Sequence, residues 1–469
     1  ALPICLPADE VERELLHIFR TALNNPAIGI KDHFFELGGQ SLRAAQIVSN
    51  VYKQFQVHIT LKDIYKNPDV ARLAQFIREA KALRWEAIAP APPADDYPAT
   101  STQKRLYAVS QMKGAETVYN MPGAIVVDGP LDLDRFREAL HALIQRHESL
   151  RTSFAWKGEE LVQRVHEHVE FEAEYATLSD TADDEEAEIA KLGAQFVRPF
   201  DLSRAPLLRV KLVKTAEDRH VVLFDMHHII SDGVSMDIFA REFLLLYEGQ
   251  ELEPLRIQYK DIAVWQARQR ETEAFRKREA YWLKKFADGV PALELPTDFP
   301  RPPRQSFEGG RFDFVLDKDV VRRIHQLSRE SGATVFMILL AAWNVLLSKY
   351  AGVEDIVVGT TVAGRNHADM EKVVGLFINT LALRNRPSGD KTFQTFLFDV
   401  RDNTLEAFEH QDYPFEDLVD KLSDQLDPSR SPLFDTMLVL QTNELNRPLL
   451  QKHRLYPKAL DHPIAKFDL

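Results

Sequence analysis

At 469 residues the chain is longer than one ordinary hydrophobic core can organise, so two or three domains are expected. A net charge of -13 argues against nucleic acid or an anionic membrane as partner, and a single cysteine, Cys5, excludes an internal disulfide framework and fits a reducing, cytoplasmic compartment. The composition, 45% hydrophobic and 28% charged, is that of a globular protein, and the longest apolar run, "VFMILLAAWNVLL" at 335–347, is too short for a bilayer and is interrupted by Asn344. The chain opens without a methionine and without a basic stretch leading into a long apolar block. It is therefore expected to be a piece of something longer with no signal peptide in view.

Residues 8–82 read as a small all-helical unit. Behind Asp9 as a candidate cap, Val11, Leu15, Ile18, Phe19 and Leu23 recur at helical spacing. A second helix is expected to start at Ser41 and to bury Leu42, Ala45, Ile47 and Val51 or a neighbouring face. "LKDIYKN" reads as a short turn, and Pro68 marks the start of a last helix. Residues 83–100, with Pro90, Pro92, Pro93 and Pro98, read as a Pro/Ala-rich extended linker long enough to let its two sides move. From 101 onward strands and helices mix. "GAIVVDGPLDLDRFREALHALIQRH" and "GGRFDFVLDKDVVRRIHQLSRE" both run from a strand through Leu-Asp-x-Asp into an amphipathic helix, with Leu133, Phe136, Leu140, Leu143 and His147 on one face of the first. The pattern points to two similar lobes, 101–270 and 271–469.

Two short stretches carry chemistry. In "DHFFELGGQSLRAAQIVS", 32–49, Gly38 and Gly39 permit a tight approach to a helix that begins at Ser41. A hydroxyl there is a plain helix cap, or an attachment point for a phosphodiester, which a helix N-terminus favours. "RHVVLFDMHHIISDGVSM", 219–236, begins as a strand, so His227 and His228 point to opposite faces, which speaks against a metal pair. Asp232 follows in the turn, near enough to act on an imidazole or an arginine, and Gly233 marks close approach to the backbone.

The first stretch resembles the peptidyl carrier domains of nonribosomal peptide synthetases, whose Asp-x-Phe-Phe-x-Leu-Gly-Gly-x-Ser-Leu run "DHFFELGGQSL" matches, with Gln40 where the family commonly has His or Asp. The second resembles the His-His-x-x-x-Asp-Gly signature of the same system's condensation domains, α/β folds of two chloramphenicol acetyltransferase-like lobes around a tunnel. Further motifs follow in family order: "STQKRLY" (101–107), "RHESLRTSF" (146–154), "YKDIAVW" (259–265), "VGLFINTLALR" (374–384), "HQDYPFE" (410–416) and "DPSRSPL" (427–433). The overall match is to synthetases of the kind that make cyclic decapeptides.

The resemblance implies a four-helix-bundle carrier with 4'-phosphopantetheine on Ser41. It also implies an enzyme that forms an amide by attack of an acceptor α-amine on a donor thioester. His228 is implied as the active-site imidazole, His227 as structural, Asp232 as shaping the site through an ion pair with Arg365, and Gly233 as lining the tunnel. The partners implied are an upstream adenylation domain, downstream adenylation and carrier domains, and a phosphopantetheinyl transferase. An α-amine titrates near 7.7–8.0 and imidazole near 6.5, so His228 as base, as positioning group or as stabiliser of the tetrahedral intermediate all stay open. An epimerisation domain and a non-catalytic carrier-docking domain are the competing readings. The first is opposed by "RHESLRTSF", "VGLFINTLALR" and "HQDYPFE", the second by the presence of His228, and a heterocyclising domain is excluded because it carries two aspartates in place of the histidines. "HPIAKFDL" resembles the start of a second-lobe strand, so that lobe is expected to be incomplete at its C-terminus.

Overall fold

The computed structural model describes residues 7–37, 39, 41–83, 85–178, 185–423, 427, 429–441, 447–460 and 462–469; for Ser41, Leu42 and 447–449 it describes the backbone alone. The N-terminal unit is four helices, α1 (Glu10–Leu23), α2 (Ser41–Phe55), α3 (Leu61–Lys66) and α4 (Val70–Glu79). Asp9 caps α1 by accepting the Glu12 N–H at 2.9 Å, and Leu15, Phe19, Ile64 and Leu73 are fully buried in the bundle. The inner face of α2 is Ala44, Ile47 and Val51, one position over from Ala45. "LKDIYKN", expected as a turn, forms α3, because Thr60 and Asp63 make a reciprocal capping box that fixes the first turn.

The first lobe runs β1 (Tyr97–Pro98), α5 (Ser101–Ser110), β2 (Asn120–Asp128), α6 (Leu133–Arg146), β3 (Thr152–Lys157), β4 (Glu160–Val165), β5 (Glu174–Thr177), α7 (Glu185–Phe196), β6 (Leu208–Ala216), β7 (Arg219–His227) and α8 (Gly233–Tyr247). Helices α9 (Tyr259–Gln269) and α10 (Glu273–Lys285) lead into the second lobe. That lobe holds α11 (Lys318–Ser331), α12 (Val335–Ala351), β8 (Ile356–Val362), β9 (Asn379–Asn385), α13 (Phe393–Glu409), α14 (Phe415–Lys421), α15 (Arg447–Lys452) and β10 (Leu455–Lys458). The main sheet has the order β10-β2-β7-β6-β5, antiparallel except for β5 on β6. Opposite Phe224 in this sheet lies Gly123, where an added Cβ would sit 2.2 Å from the Phe224 ring, so the close strand approach requires glycine.

Three expectations change here. Residues 455–458, assigned by sequence to the second lobe, close the free edge of β2 in the first, so the boundary at 270/271 fails for this returning strand. The segment 311–316, expected as a strand, leaves Phe312, Phe314 and Val315 exposed, and among the described residues no strand pairs with it. The linker is extended, but from Ile88 onward it is fastened. Ile88 is fully buried and donates its N–H to Asp369 at 3.0 Å, the Ala91 N–H reaches Asp261 at 2.8 Å, and Tyr97–Pro98 pairs with β4. The apolar run at 335–347 is a core helix, with Asn344 donating to the Leu340 carbonyl at 2.7 Å. No single described helix is long and apolar enough to cross a membrane.

Candidate active site

Strand β7 ends at His227, a short 3-10 turn covers His228–Ile230, and Asp232 caps α8. The two histidines diverge as strand alternation requires. His227 is buried, its Nδ1 accepting the Ile229 N–H at 3.1 Å and its Nε2 lying 3.2 Å from the Ser110 hydroxyl. Because Nδ1 accepts, the proton sits on Nε2, and burial lowers this imidazole to about 3. His228 is turned the other way and stays partly open. Its Nδ1 lies 2.8 Å from the Ser231 carbonyl, which can only accept, so Nδ1 carries the proton and the Nε2 lone pair is free. Burial, and after it the ammonium of Lys466, lowers His228 to about 4, with Asp232 opposing.

Behind this turn one carboxylate ties the lobes. Asp232 Oδ1 accepts the Ser235 N–H at 2.8 Å, and its Oδ2 accepts the Phe377 N–H of the second lobe at 2.8 Å. Arg365 Nη2 lies 3.4 Å from Asp232 and 2.7 Å from the Ser235 hydroxyl, while Nη1 donates to the Met370 and Val373 carbonyls and the guanidinium rests on the Phe377 ring. Both partners are buried; burial lowers the Arg365 pKa and Asp232 pulls it back up. The structure thus brings Arg365 to Asp232. Motifs far apart in sequence close around the same point. Gln103 donates to the Ile229 carbonyl at 3.2 Å, the Tyr259 hydroxyl to the Leu376 carbonyl at 2.5 Å, and Asn379 to the Gln411 and Tyr413 carbonyls.

Gly233 is exposed, has no left-handed backbone, and an added Cβ there would meet nothing within 4 Å. Neither the backbone conformation nor the packing around its Cβ position requires glycine.

Gly38, Gln40 and the side chain of Ser41 lie outside the described residues. What is described fits a phosphodiester. Ser41 opens a 15-residue helix with no acidic residue in its first turn, and Gly39 is drawn so close to Phe34 that a Cβ would lie 2.4 Å from the ring and 2.5 Å from its carbonyl oxygen.

Sequence reasoning missed the groups that face His228 from the other side. Tyr119 lies edge-on to the imidazole, ring centres 6.4 Å apart, and its carbonyl accepts the His228 N–H at 2.8 Å. Lys466 sits over the Tyr119 ring, 4.7 Å from its centre, and Arg105 and Glu416 pair at 3.7 Å near the same ring. The available signal was a lysine inside the apolar "PIAKF".

A chain with a histidine-bearing turn between two lobes and a helical unit ahead of it is matched by two family models: "Condensation domain" over residues 93–469 and "Phosphopantetheine attachment site" over residues 13–77. The chain belongs to the condensation-domain family and carries a phosphopantetheine attachment domain ahead of it. Along 99% of its length it is 48% identical to tyrocidine synthase 2 of Brevibacillus parabrevis, and 47% identical to gramicidin S synthase 2 of Aneurinibacillus migulanus. It spans only 13% of the length of the former and 10% of the latter. Among solved structures, the X-domain from teicoplanin biosynthesis matches at TM-score 0.73 and 26% identity, covering 81% of this chain and 86% of that one.

Proposed function

We propose that this chain forms a peptide bond in nonribosomal peptide synthesis, transferring a donor aminoacyl or peptidyl group held at Ser41 to the α-amine of an acceptor aminoacyl thioester. The observation that carries this reading is the imidazole of His228, held as the Nδ1–H tautomer by the Ser231 carbonyl, with no partner on Nε2 among the described residues. The 4'-phosphopantetheine of the carrier supplies the thiol that holds the donor as a thioester. The family assignment and the relatives support an upstream adenylation domain and downstream adenylation and carrier domains as partners, with a phosphopantetheinyl transferase acting on Ser41.

The depressed basicity of His228 narrows its role. An acceptor ammonium near 8 would have to give its proton to an imidazole near 4, uphill by about 5 kcal/mol. The amine therefore arrives neutral. His228 Nε2 orients it by accepting one N–H, and takes the proton only after the C–N bond has formed and the nitrogen has become strongly acidic. Asp232 and Arg365 act behind the turn, holding the imidazole by fixing the start of α8 to the second lobe.

The test loads Ser41 with an alanyl group through a transferase and aminoacyl-coenzyme A, adds a soluble aminoacyl thioester, and follows products by mass. A dipeptidyl thioester from wild type, and none from His228→Ala, is expected. Solvent deuterium entering the donor α-carbon without amide formation would replace this reading by epimerisation.

A further inference from the structure

We propose that Lys466 is a further catalytic residue of the condensation site, its ammonium neutralising the negative charge that develops on the thioester carbonyl oxygen as the acceptor amine adds. This rests on the peptide-bond-forming reading and concerns a group that reading does not use.

Lys466 approaches the Tyr119 ring, beside His228, from the second-lobe side. Its backbone is pinned there: the Gln305 side chain donates to its carbonyl at 3.0 Å, the Ala465 N–H to the Phe307 carbonyl at 2.9 Å, and Asp468 pairs with Arg301. From that anchorage the side chain extends to the Tyr119 ring, whose edge meets the His228 imidazole. The other cations near the site are neutralised, Arg365 by Asp232 and Arg105 by Glu416. Among the described residues no carboxylate pairs with Lys466. Burial lowers its pKa to about 8, with no acidic neighbour to raise it. A partly buried ammonium without a counter-ion, beside a neutral imidazole, is a fixed positive charge waiting for an anionic oxygen.

The step balances without a further reagent. The amine lone pair forms the C–N bond and the carbonyl π pair moves to oxygen, opposite Lys466. The nitrogen then gives its proton to His228 Nε2. The oxyanion collapses, the C–S bond breaks, and the departing thiolate takes that proton. The titratable and charged groups around this point are Lys466, Tyr119 and His228, with Arg105 and Glu416 near Tyr119, Asp232 behind the turn and His227 on the opposite face of the strand end.

The experiment compares wild type, Lys466→Met and Lys466→Arg in single-turnover amide formation with alanyl donor and acceptor, then with acidic ones. Beside it, NMR follows titration of the His228 imidazole in the unloaded protein. Lys466→Met should slow condensation about 100-fold for every substrate pair, the order expected for loss of one oxyanion partner, and raise the His228 midpoint; Lys466→Arg should restore most of both. Wild-type rates in Lys466→Met overturn the proposal. So does a loss confined to acidic side chains, which would make Lys466 a reader of substrate carboxylates, and so does a rate loss with lowered melting and an unmoved His228, which would make it packing. If wild type itself forms no amide, the peptide-bond-forming reading fails, while the titration still decides whether Lys466 acts on His228.

Discussion

Burial holds the imidazoles of His227 and His228 at about 3 and about 4, against an unfolded value near 6.5. Between those values the unfolded chain binds more protons than the folded one, so this contribution to stability is intact above pH 6.5 and is lost as pH falls toward 4. For fully buried His227 the loss at pH 5 is about 2 kcal/mol. Asp225, raised to about 6 by burial, works in the opposite sense, stabilising as pH falls from 6 toward its unfolded value. The His227 share is therefore read as a difference: urea unfolding at pH 7 and pH 5 should fall less steeply for His227→Gln than for wild type, and parallel slopes would contradict a buried neutral His227. His228→Ala should show the reverse profile, a near-native melting point with amide formation lost. Gly233 allows a sharper separation of fold from chemistry. Since a Cβ there meets no protein atom within 4 Å and Gly233 is the exposed first residue of a helix, Gly233→Leu should melt within about 1 kcal/mol of wild type. Amide formation should nonetheless fall at least tenfold, because the side chain fills space the substrate needs; unimpaired rates would show that the tunnel runs elsewhere.

Caps and strands hold the site together, and Asp232 is the joint among them. It caps α8 in one lobe and accepts Phe377 N–H and Arg365 from the other. Asp232→Ala leaves Arg365 buried and unpaired, a loss of about 3–5 kcal/mol. Calorimetry should show melting lowered accordingly, with the two lobes separating first, and an unchanged melting curve would remove Asp232 from this structural role. How much of this was legible divides by range. Asp9 as a cap, the opposed faces of His227 and His228, and the strand-turn-helix at 219–247 are local patterns, and the sequence period is enough to find them. The helix α3 was also local but was hidden by its brevity, its one marker being the Thr60–Asp63 box. The return of β10 to β2, the fastening of Ile88 and the placing of Lys466 over Tyr119 depend on partners hundreds of residues away, for which hydrophobic spacing holds no address. Arg365 was reached through family likeness; its geometry could not be read from "VAGRNH" alone.

At the scale of the whole chain the question is how far the carrier can travel. A freely extended 83–100 would span about 60 Å, but Leu83 donates to the Gln56 carbonyl at 2.6 Å on the carrier side, while Trp85 stacks on His367 and Ile88 is held by Asp369 on the other. The handover between domains therefore falls within 83–85. The contacts across it are mixed: Asn50 donates to Glu371 at 2.7 Å and the Lys53 ammonium lies 5.7 Å from the centre of the Trp85 ring, while α3 packs against α13 and the apolar cluster of the carrier runs on into that of the second lobe. Asn50 lies about 13 Å along α2 from Ser41 at 1.5 Å per residue, so this polar contact uses the middle of the helix. Each of these two polar contacts holds weakly, of the order of 1 kcal/mol. Two linker changes then have opposite consequences. Deleting 86–94 removes the Ile88 and Ala91 anchors and should lower melting of the condensation domain together with its rate. Inserting four Gly-Ser residues after Leu83 should leave melting and Ser41 pantetheinylation untouched and slow condensation by no more than about fourfold, since effective concentration falls only as the three-halves power of tether length. A deletion that slows condensation without touching stability would show instead that the whole of 83–100 acts as the tether, with its packing against the condensation domain incidental.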